Sequence, residues 1–200
     1  MIDILDYGIG NIGSIQNMIK FIEGNSRIIS SPNQVLNSKK LILPGVGSYD
    51  AAVSALKDND LFDSLIYAGT ENKTIILGIC LGMQLLFDGS EEGKMPGLGL
   101  INGYVNKFKL NNAKVPHVGW NNIIIKNDSS LFLKSEAQQR FYFTHSYFVK
   151  CSNEKDIIAE CNHEVNFTCA VENQNILGTQ FHPEKSHKYG MTLFSKFNSL

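Results

Sequence analysis

Three side chains in this 200-residue chain could together break an amide bond: the thiol of Cys80, the imidazole of His182 and the carboxylate of Glu184. Cys80 lies in Gly78-Ile79-Cys80-Leu81-Gly82, with glycine two residues away on either side. A nucleophile carried on a sharp strand-to-helix turn calls for that spacing, because its backbone is strained and a Cβ on either flank would clash. A helix opening at Leu81 points its N-terminus at the sulfur and favours the thiolate. The thiol also needs a base that takes its proton and later returns it to a leaving amine, and His182 is the candidate. Glu184 is the candidate third group, fixing the tautomer of the imidazole and stabilising its cation. Pro183 disfavours a helical conformation at His182. In an extended segment residues two apart project to the same side, so His182 and Glu184 can meet.

The tetrahedral oxyanion of such a reaction needs preorganised donors, worth roughly 3–4 kcal/mol each in the transition state. One candidate is the backbone N–H of Leu81, next to the nucleophile. The second is the Gly45-Val46-Gly47 stretch, where two glycines around one residue leave the peptide unit free to rotate. Taken singly, each feature has a plainer reading: Cys80 as a small buried hydrophobe, His182 as a histidine in a strand-end turn, Gly45–Gly47 as an ordinary turn after proline. The combination favours the chemistry.

The elements that must position these groups can be read in order. Thr74-Ile75-Ile76-Leu77 is a short apolar, β-branched run that reads as a buried strand. The residues from Leu81 to Phe87 read as a helix packed on a sheet. Upstream, Ile2–Leu5, Arg27–Ile29 and Lys40–Leu43 are strand candidates. Asn11 is placed to cap a helix with Ile12, Ile15, Ile19 and Ile22 on one face, and further helices are expected over 50–56 and 61–67. This alternation predicts an α/β fold, a parallel sheet with helices on both faces. Sites in such sheets lie beyond the carboxyl ends of the strands, so Gly45–Gly47 and Cys80 should share one crevice. After Phe87 a polar, turn-rich stretch over 88–99 leads to strand-like runs around Tyr104-Val105, 122–125, 141–143, 157–159, 167–171 and 176–180, read as hairpins extending the sheet. A final helix is expected over 188–200, with Met191, Leu193, Phe194 and Phe197 as its buried stripe. With no repeat or linker in sight, residues 1–200 are expected to form one domain.

Composition excludes several classes. The net charge is −1 and the arginines are Arg27 and Arg140 alone, so no nucleic-acid footprint is present. The start is too short and acidic for a signal peptide and no apolar run reaches the length of a membrane span, so a soluble cytoplasmic protein is expected. Cys80, Cys151, Cys161 and Cys169 show no C-x-x-C spacing, which argues against a zinc site or redox pair. His117 and His145 lack a third ligand at suitable spacing, so no metal site is expected. Gly8 and Gly10 lack the third glycine of a dinucleotide loop and the Lys-Ser/Thr of a P-loop, and read as a tight turn rather than a cofactor site.

Gly-Ile-Cys-Leu-Gly-Met-Gln at 78–84 with His-Pro-Glu at 182–184 resembles the class I (triad) glutamine amidotransferases, and within them the glutaminase subunits of imidazole glycerol phosphate synthase. The resemblance extends through Asp6-Tyr7-Gly8-Ile9-Gly10-Asn11, Pro44-Gly45-Val46-Gly47, Pro116-His117-Val118-Gly119-Trp120-Asn121 and His182-Pro183-Glu184-Lys185-Ser186, and so covers essentially the whole chain. It implies a flavodoxin-like, mostly parallel sheet with an antiparallel extension, and no cofactor. It implies that Cys80 attacks the side-chain amide of L-glutamine, that Gly47 and Leu81 supply the oxyanion hole, and that Gln84, Glu92, Ser146 and Tyr147 bind the glutamine head group, Glu92 holding its ammonium. Trp120, Tyr142 and Lys185 would face a (β/α)₈-barrel cyclase, the partner in a heterodimer that receives the ammonia. Two stretches, Val118 and His187-Lys188-Tyr189, depart from the pattern and leave open a paralogous partner that aminates surface sugars. A glutamine-binding module without turnover, or a cysteine peptidase on a similar fold, are the readings from other classes.

Overall fold

The structure, a computed structural model, describes residues 1–200. The chain runs β1 (Ile2–Leu5), α1 (Ile12–Phe21), β2 (Ser26–Ile29), α2 (Pro32–Leu36), β3 (Lys40–Leu43), α3 (Tyr49–Asp58), α4 (Leu61–Thr70), β4 (Ile75–Ile79) and α5 (Leu81–Leu85). It continues through β5 (Gly103–Lys107), β6 (His117–Ile125), β7 (Arg140–His145), β8 (Tyr147–Cys151), β9 (Ile157–His163), β10 (Val165–Asn173) and β11 (Ile176–Thr179), and ends in α6 (His187–Ser199). The sheet has 11 strands, with the continuous order β2-β1-β3-β4-β11-β10-β9-β6-β7. From β2 to β11 the neighbours are parallel. From β11 outward they are antiparallel, with β8 and β5 branching off β10. This is the α/β sheet, parallel in its first half with an antiparallel extension, expected from the sequence.

Strand pleating divides the apolar residues between two cores. Leu41, Leu43 and Ile76 pack with residues of α2, α3, α4 and α5 on one face. Ile42, Leu77 and Ile79 pack with α1 and α6 on the other. Alternate residues of a strand point to opposite faces, so a strand buried on both sides reads as an unbroken apolar run.

Three local expectations are corrected. Asn11 stands at the N-cap of α1, but its side chain makes no capping hydrogen bond. The helix after Cys80 ends at Leu85 rather than Phe87, because the N–H groups of Leu98 and Leu100 take the carbonyls of Leu85 and Leu86. Those N–H groups compete with helix continuation, while Leu86 and Phe87 stay buried in the same core. Met191 is only half-buried on α6; Gly190, Leu193, Phe194 and Phe197 form its inner face. Two elements were not anticipated. Helix α2 opens on Ser31-Pro32, with Gln34 Oε1 accepting from the Ser31 N–H at 3.2 Å, a start signal present in the sequence. Strand β8 follows β7 after Ser146 alone, with no turn residue between them, because the chain leaves β6 as partner and pairs with β5 instead.

Candidate active site

Cys80 lies between the end of β4 and the start of α5 with φ 55° and ψ −109°. A non-glycine residue in that region costs about 1–3 kcal/mol and is held there by its surroundings. Its N–H donates to the Thr179 carbonyl at 2.7 Å, and its own carbonyl accepts from Gln84 N–H at 3.2 Å. The glycines account for how tightly the turn is nested. A Cβ on Gly82 would stand 1.9 Å from the Leu43 carbonyl oxygen, one on Gly78 would stand 2.7 Å from the Gly82 oxygen, and one on Gly45 would stand 2.5 Å from the Gly82 nitrogen. The elbow and the Pro44–Gly47 loop therefore interlock through missing side chains. Helix α5 is only five residues long, so its contribution to the field at the sulfur is local: Leu81 opens the helix, and the first N–H groups of a helix lack intrahelical acceptors.

His182 and Glu184 follow the end of β11, each almost fully enclosed, and His182 Nδ1 meets Glu184 Oε1 at 2.7 Å. A carboxylate at Nδ1 fixes the proton there and leaves Nε2 free to accept one. Nε2 is buried with no hydrogen-bond partner, and His182 and Cys80 line the same cleft. Burial pushes the imidazole pKa down, but the Cys80 sulfur and the Glu184 carboxylate outweigh it and hold the group at about 9. The backbone around the pair is pinned: His182 N–H donates to the Tyr142 carbonyl at 2.9 Å and the Ser186 hydroxyl donates to the His182 carbonyl at 2.6 Å.

Cys80 and His182 open onto a cleft of about 440 Å³ that also brings together Val46, Gly47, Leu81, Gln84, Glu92, Ser146, Tyr147 and Lys185. The volume suits a small metabolite. Gly47 has φ +95° and open space around its Cα, at the cleft rim. The Pro44 carbonyl that precedes this loop accepts from the buried Tyr7 hydroxyl at 2.7 Å. Gln84 Nε2 donates to the Tyr147 carbonyl at 3.2 Å and to Gln180 Oε1 at 3.0 Å. Gln180 in turn sets its Nε2 3.8 Å from the Cys80 sulfur. Sequence reasoning missed Gln180, although it directly precedes the Phe181-His182 step. Burial raises the Glu92 carboxyl above its ordinary value; the Tyr49 backbone N–H opposes this and the Asp50 charge adds to it.

His117 and His145 touch each other, Nδ1 to Nε2 at 3.0 Å. Asn121 Nδ2 approaches His117 Nε2 at 3.2 Å and His145 Nδ1 approaches the Tyr147 carbonyl at 2.7 Å. Burial, reinforced by neighbouring histidines, pushes His117 down to about 4 and His145 to about 3. Two neutral rings therefore relay donors in one direction, from Asn121 to the cleft wall, which is a hydrogen-bonding role. No group of three His, Cys, Asp or Glu side chains is arranged to hold a metal ion.

Of the remaining thiols, Cys161 and Cys169 are buried and Cys151 is half-buried, all unpaired. Burial pushes Cys151 and Cys161 up to about 12 and Cys169 well above its ordinary value. Trp120 and Tyr142 are cross-strand neighbours on β6 and β7. Trp120 is 42 % exposed, with His187 stacked on it at 5.6 Å and the Arg140 guanidinium 5.4 Å from its ring. Lys185 lies 5.9 Å over Tyr142, joining this face to the rim of the cleft. Val118 is exposed on the same strand. No helix is long and apolar enough to cross a membrane.

Residues 4–198 match the family described as Glutamine amidotransferase class-I. The chain belongs to the class I glutamine amidotransferases. It is 48% identical over 198 residues to Imidazole glycerol phosphate synthase subunit HisH 2 of Methanococcus maripaludis, covering 98% of both chains. It is 42% identical over 204 residues to Imidazole glycerol phosphate synthase subunit HisH of Leptospira interrogans, covering 100% of both. These matches put the chain with the HisH subunits inside the amidotransferase family. The fold is also that of PurLQS from Thermotoga maritima, with a TM-score of 0.74 at 18% identity, covering 99% of this chain and 97% of that one. As a class I glutamine amidotransferase subunit the chain is an enzyme, a glutaminase.

Proposed function

We propose that this chain, acting as one glutaminase domain over residues 1–200, releases ammonia from L-glutamine and delivers it to a (β/α)₈-barrel cyclase that makes imidazole glycerol phosphate and AICAR in histidine biosynthesis. The observation that carries the chemistry is the enclosed His182–Glu184 pair at 2.7 Å, opening with Cys80 onto one cleft. The Cys80 sulfur, its proton already held on His182 Nε2, attacks the amide carbon of glutamine. The oxyanion is met by the N–H groups of Leu81 and of the Gly47 peptide. His182 returns the proton to the leaving nitrogen, the C–N bond breaks, and ammonia leaves a Cys80 thioester. Water, deprotonated by His182, attacks the thioester; glutamate departs and the thiol is restored.

Glu92 holds the substrate ammonium, and Gln84, Ser146 and Tyr147 line the rest of its head group. Transfer to a docked partner has a physical reason: ammonia released into water near pH 7 is mostly ammonium, which is no nucleophile. The exposed Trp120, with Tyr142 beside it, supports a docking face on the same rim, since aromatic side chains and arginine are enriched at interfaces, and Lys185 would stand at its polar edge. A heterodimer in the cytoplasm follows from this reading. The test is glutamate release by the chain alone and with the cyclase and its ligand. Strong acceleration by the cyclase supports the assignment. No acceleration, together with histidine prototrophy of a deletion strain, overturns the pathway and points to a different ammonia acceptor.

A further inference from the structure

The loop that carries Glu92 has no regular structure of its own, yet it must hold one carboxylate against a small ligand. Two anchors hold it. On one side Glu91 N–H donates to the Val105 carbonyl at 2.8 Å, and Ser90 bridges to Val105 of β5. On the other side the loop wraps around Asp50, in the first turn of α3. Asp50 Oδ1 accepts from Lys94 N–H at 2.9 Å and from Met95 N–H at 3.1 Å, and Oδ2 accepts from Lys94 N–H at 3.1 Å. A Cβ on Gly93 would stand 2.0 Å from Asp50 Oδ1 and 3.1 Å from Tyr49 Cδ1. The wrap therefore closes at a point where only glycine fits. Hydrogen bonds from backbone N–H groups to an ionised carboxylate are among the stronger ones available.

We propose that Asp50 is the positioning residue for Glu92, tying the site for the substrate ammonium to the same turn that follows the Gly45–Gly47 oxyanion loop. This rests on the reading that Glu92 receives the ammonium of glutamine. The geometry gives the anchor a specific consequence. Gly47 and Asp50 are three residues apart on one short connection into α3, and both Gly47 and Glu92 border the Cys80 cleft. The Tyr49 backbone N–H, next to Asp50, also bonds the Glu92 carboxylate, so the start of α3 holds both the loop and its acid. Asp50 touches no reacting atom; it acts through Glu92.

The test uses the chain in complex with its cyclase. Asp50→Ala is expected to raise KM for glutamine about tenfold with kcat changed less than twofold. Inhibition by glutaramate, which keeps the amide and the carboxylate but lacks the α-ammonium, should be unchanged in the same variant. Asp50→Asn keeps one accepting oxygen for both N–H groups and should restore most of the affinity. Should Asp50→Ala fail to fold, Gly93→Ala displaces the carboxylate from the other side and is read in the same way. An unchanged glutamine KM, or equal weakening of glutamine and glutaramate, overturns the proposal. Amide exchange at Lys94 and Met95 tests the anchor independently of turnover: it should accelerate in Asp50→Ala, and unaltered exchange overturns the anchor. Wild-type complex that releases no glutamate strikes the proposed function instead.

Discussion

Gln180 sits between Cys80 and Gln84 of α5: its Nε2 lies 3.8 Å from the Cys80 sulfur, while its Oε1 accepts from Gln84 Nε2 at 3.0 Å. The buried amide thus couples the elbow to Gln84, whose second contact is the Tyr147 carbonyl. Replacing Gln180 with Ala leaves Gln84 with one partner fewer and the sulfur without its amide neighbour. A buried hydrogen bond contributes about 0.5–1.5 kcal/mol, so kcat/KM for glutamine should fall roughly three- to tenfold. Steady-state glutaminase kinetics on the complex measure it.

Cys80→Ala should abolish glutamate release, a loss on the order of 10⁶-fold for a covalent nucleophile. A glutamine-like electrophile should label one thiol per chain. Cys151, Cys161 and Cys169 are held protonated by burial, and thiols are poor nucleophiles. Intact-mass and peptide mapping after labelling decide it; adducts spread over several cysteines would count against Cys80.

Glu184→Gln keeps the shape of the His182 partner and removes its charge. Catalysis should drop roughly 10²–10⁴-fold, as for loss of the orienting carboxylate of a triad. The same pair leaves a mark on stability. His182 is held at about 9 in the fold against an ordinary value of 6.5, so between those values the folded protein binds more protons than the unfolded one. This contribution is complete below about pH 6.5 and is lost as pH rises through about 9. Denaturant melts from pH 6 to 10 should show that decline in the wild type and a flatter profile in Glu184→Gln.

Gly82→Ala tests the nesting of the Cys80 turn against the Pro44–Gly47 loop. Its Cβ would meet the Leu43 carbonyl oxygen at 1.9 Å, and rigid backbone cannot yield as a side chain does. Overpacking of this kind costs roughly 1–3 kcal/mol or more, so thermal unfolding should shift down by several degrees and activity should fall further than stability. A fully stable, fully active variant would contradict the packing described.

Trp120→Ala probes the proposed docking face. An exposed aromatic anchor with flanking cations behaves as an interface hot spot, where truncation costs about 2 kcal/mol or more. Affinity for the cyclase should weaken at least about thirtyfold, with basal glutaminase activity of the free chain retained. Calorimetric titration against the cyclase, beside an assay of the isolated chain, reads both.

The chemistry was legible from residue types at fixed spacing. Gly78, Cys80 and Gly82 mark the turn by their spacing, although Gly82 is required by the distant Leu43 carbonyl, and His182 and Glu184 meet across a 3-10 turn over Pro183–Lys185 rather than along the extended segment expected. The alternation of strands and helices through Ile79, and the shared crevice of Gly45–Gly47 with Cys80, followed from period and from the parallel-sheet rule. Contacts between segments distant in sequence were another matter. Strand β8 has no turn signal because it changes partner rather than forming a hairpin, and helix α5 stops early because Leu98 and Leu100 reach back for its carbonyls. Gln180 reads as one polar residue at a strand end until the sheet sets it beside Cys80, and Asp50 reads as an ordinary first-turn carboxylate until Gly93 closes on it. Local sterics and pleating are written in adjacent residues. Which buried donor meets which acceptor across 40 to 100 positions is decided by the sheet order, and that order emerges only when the whole chain packs.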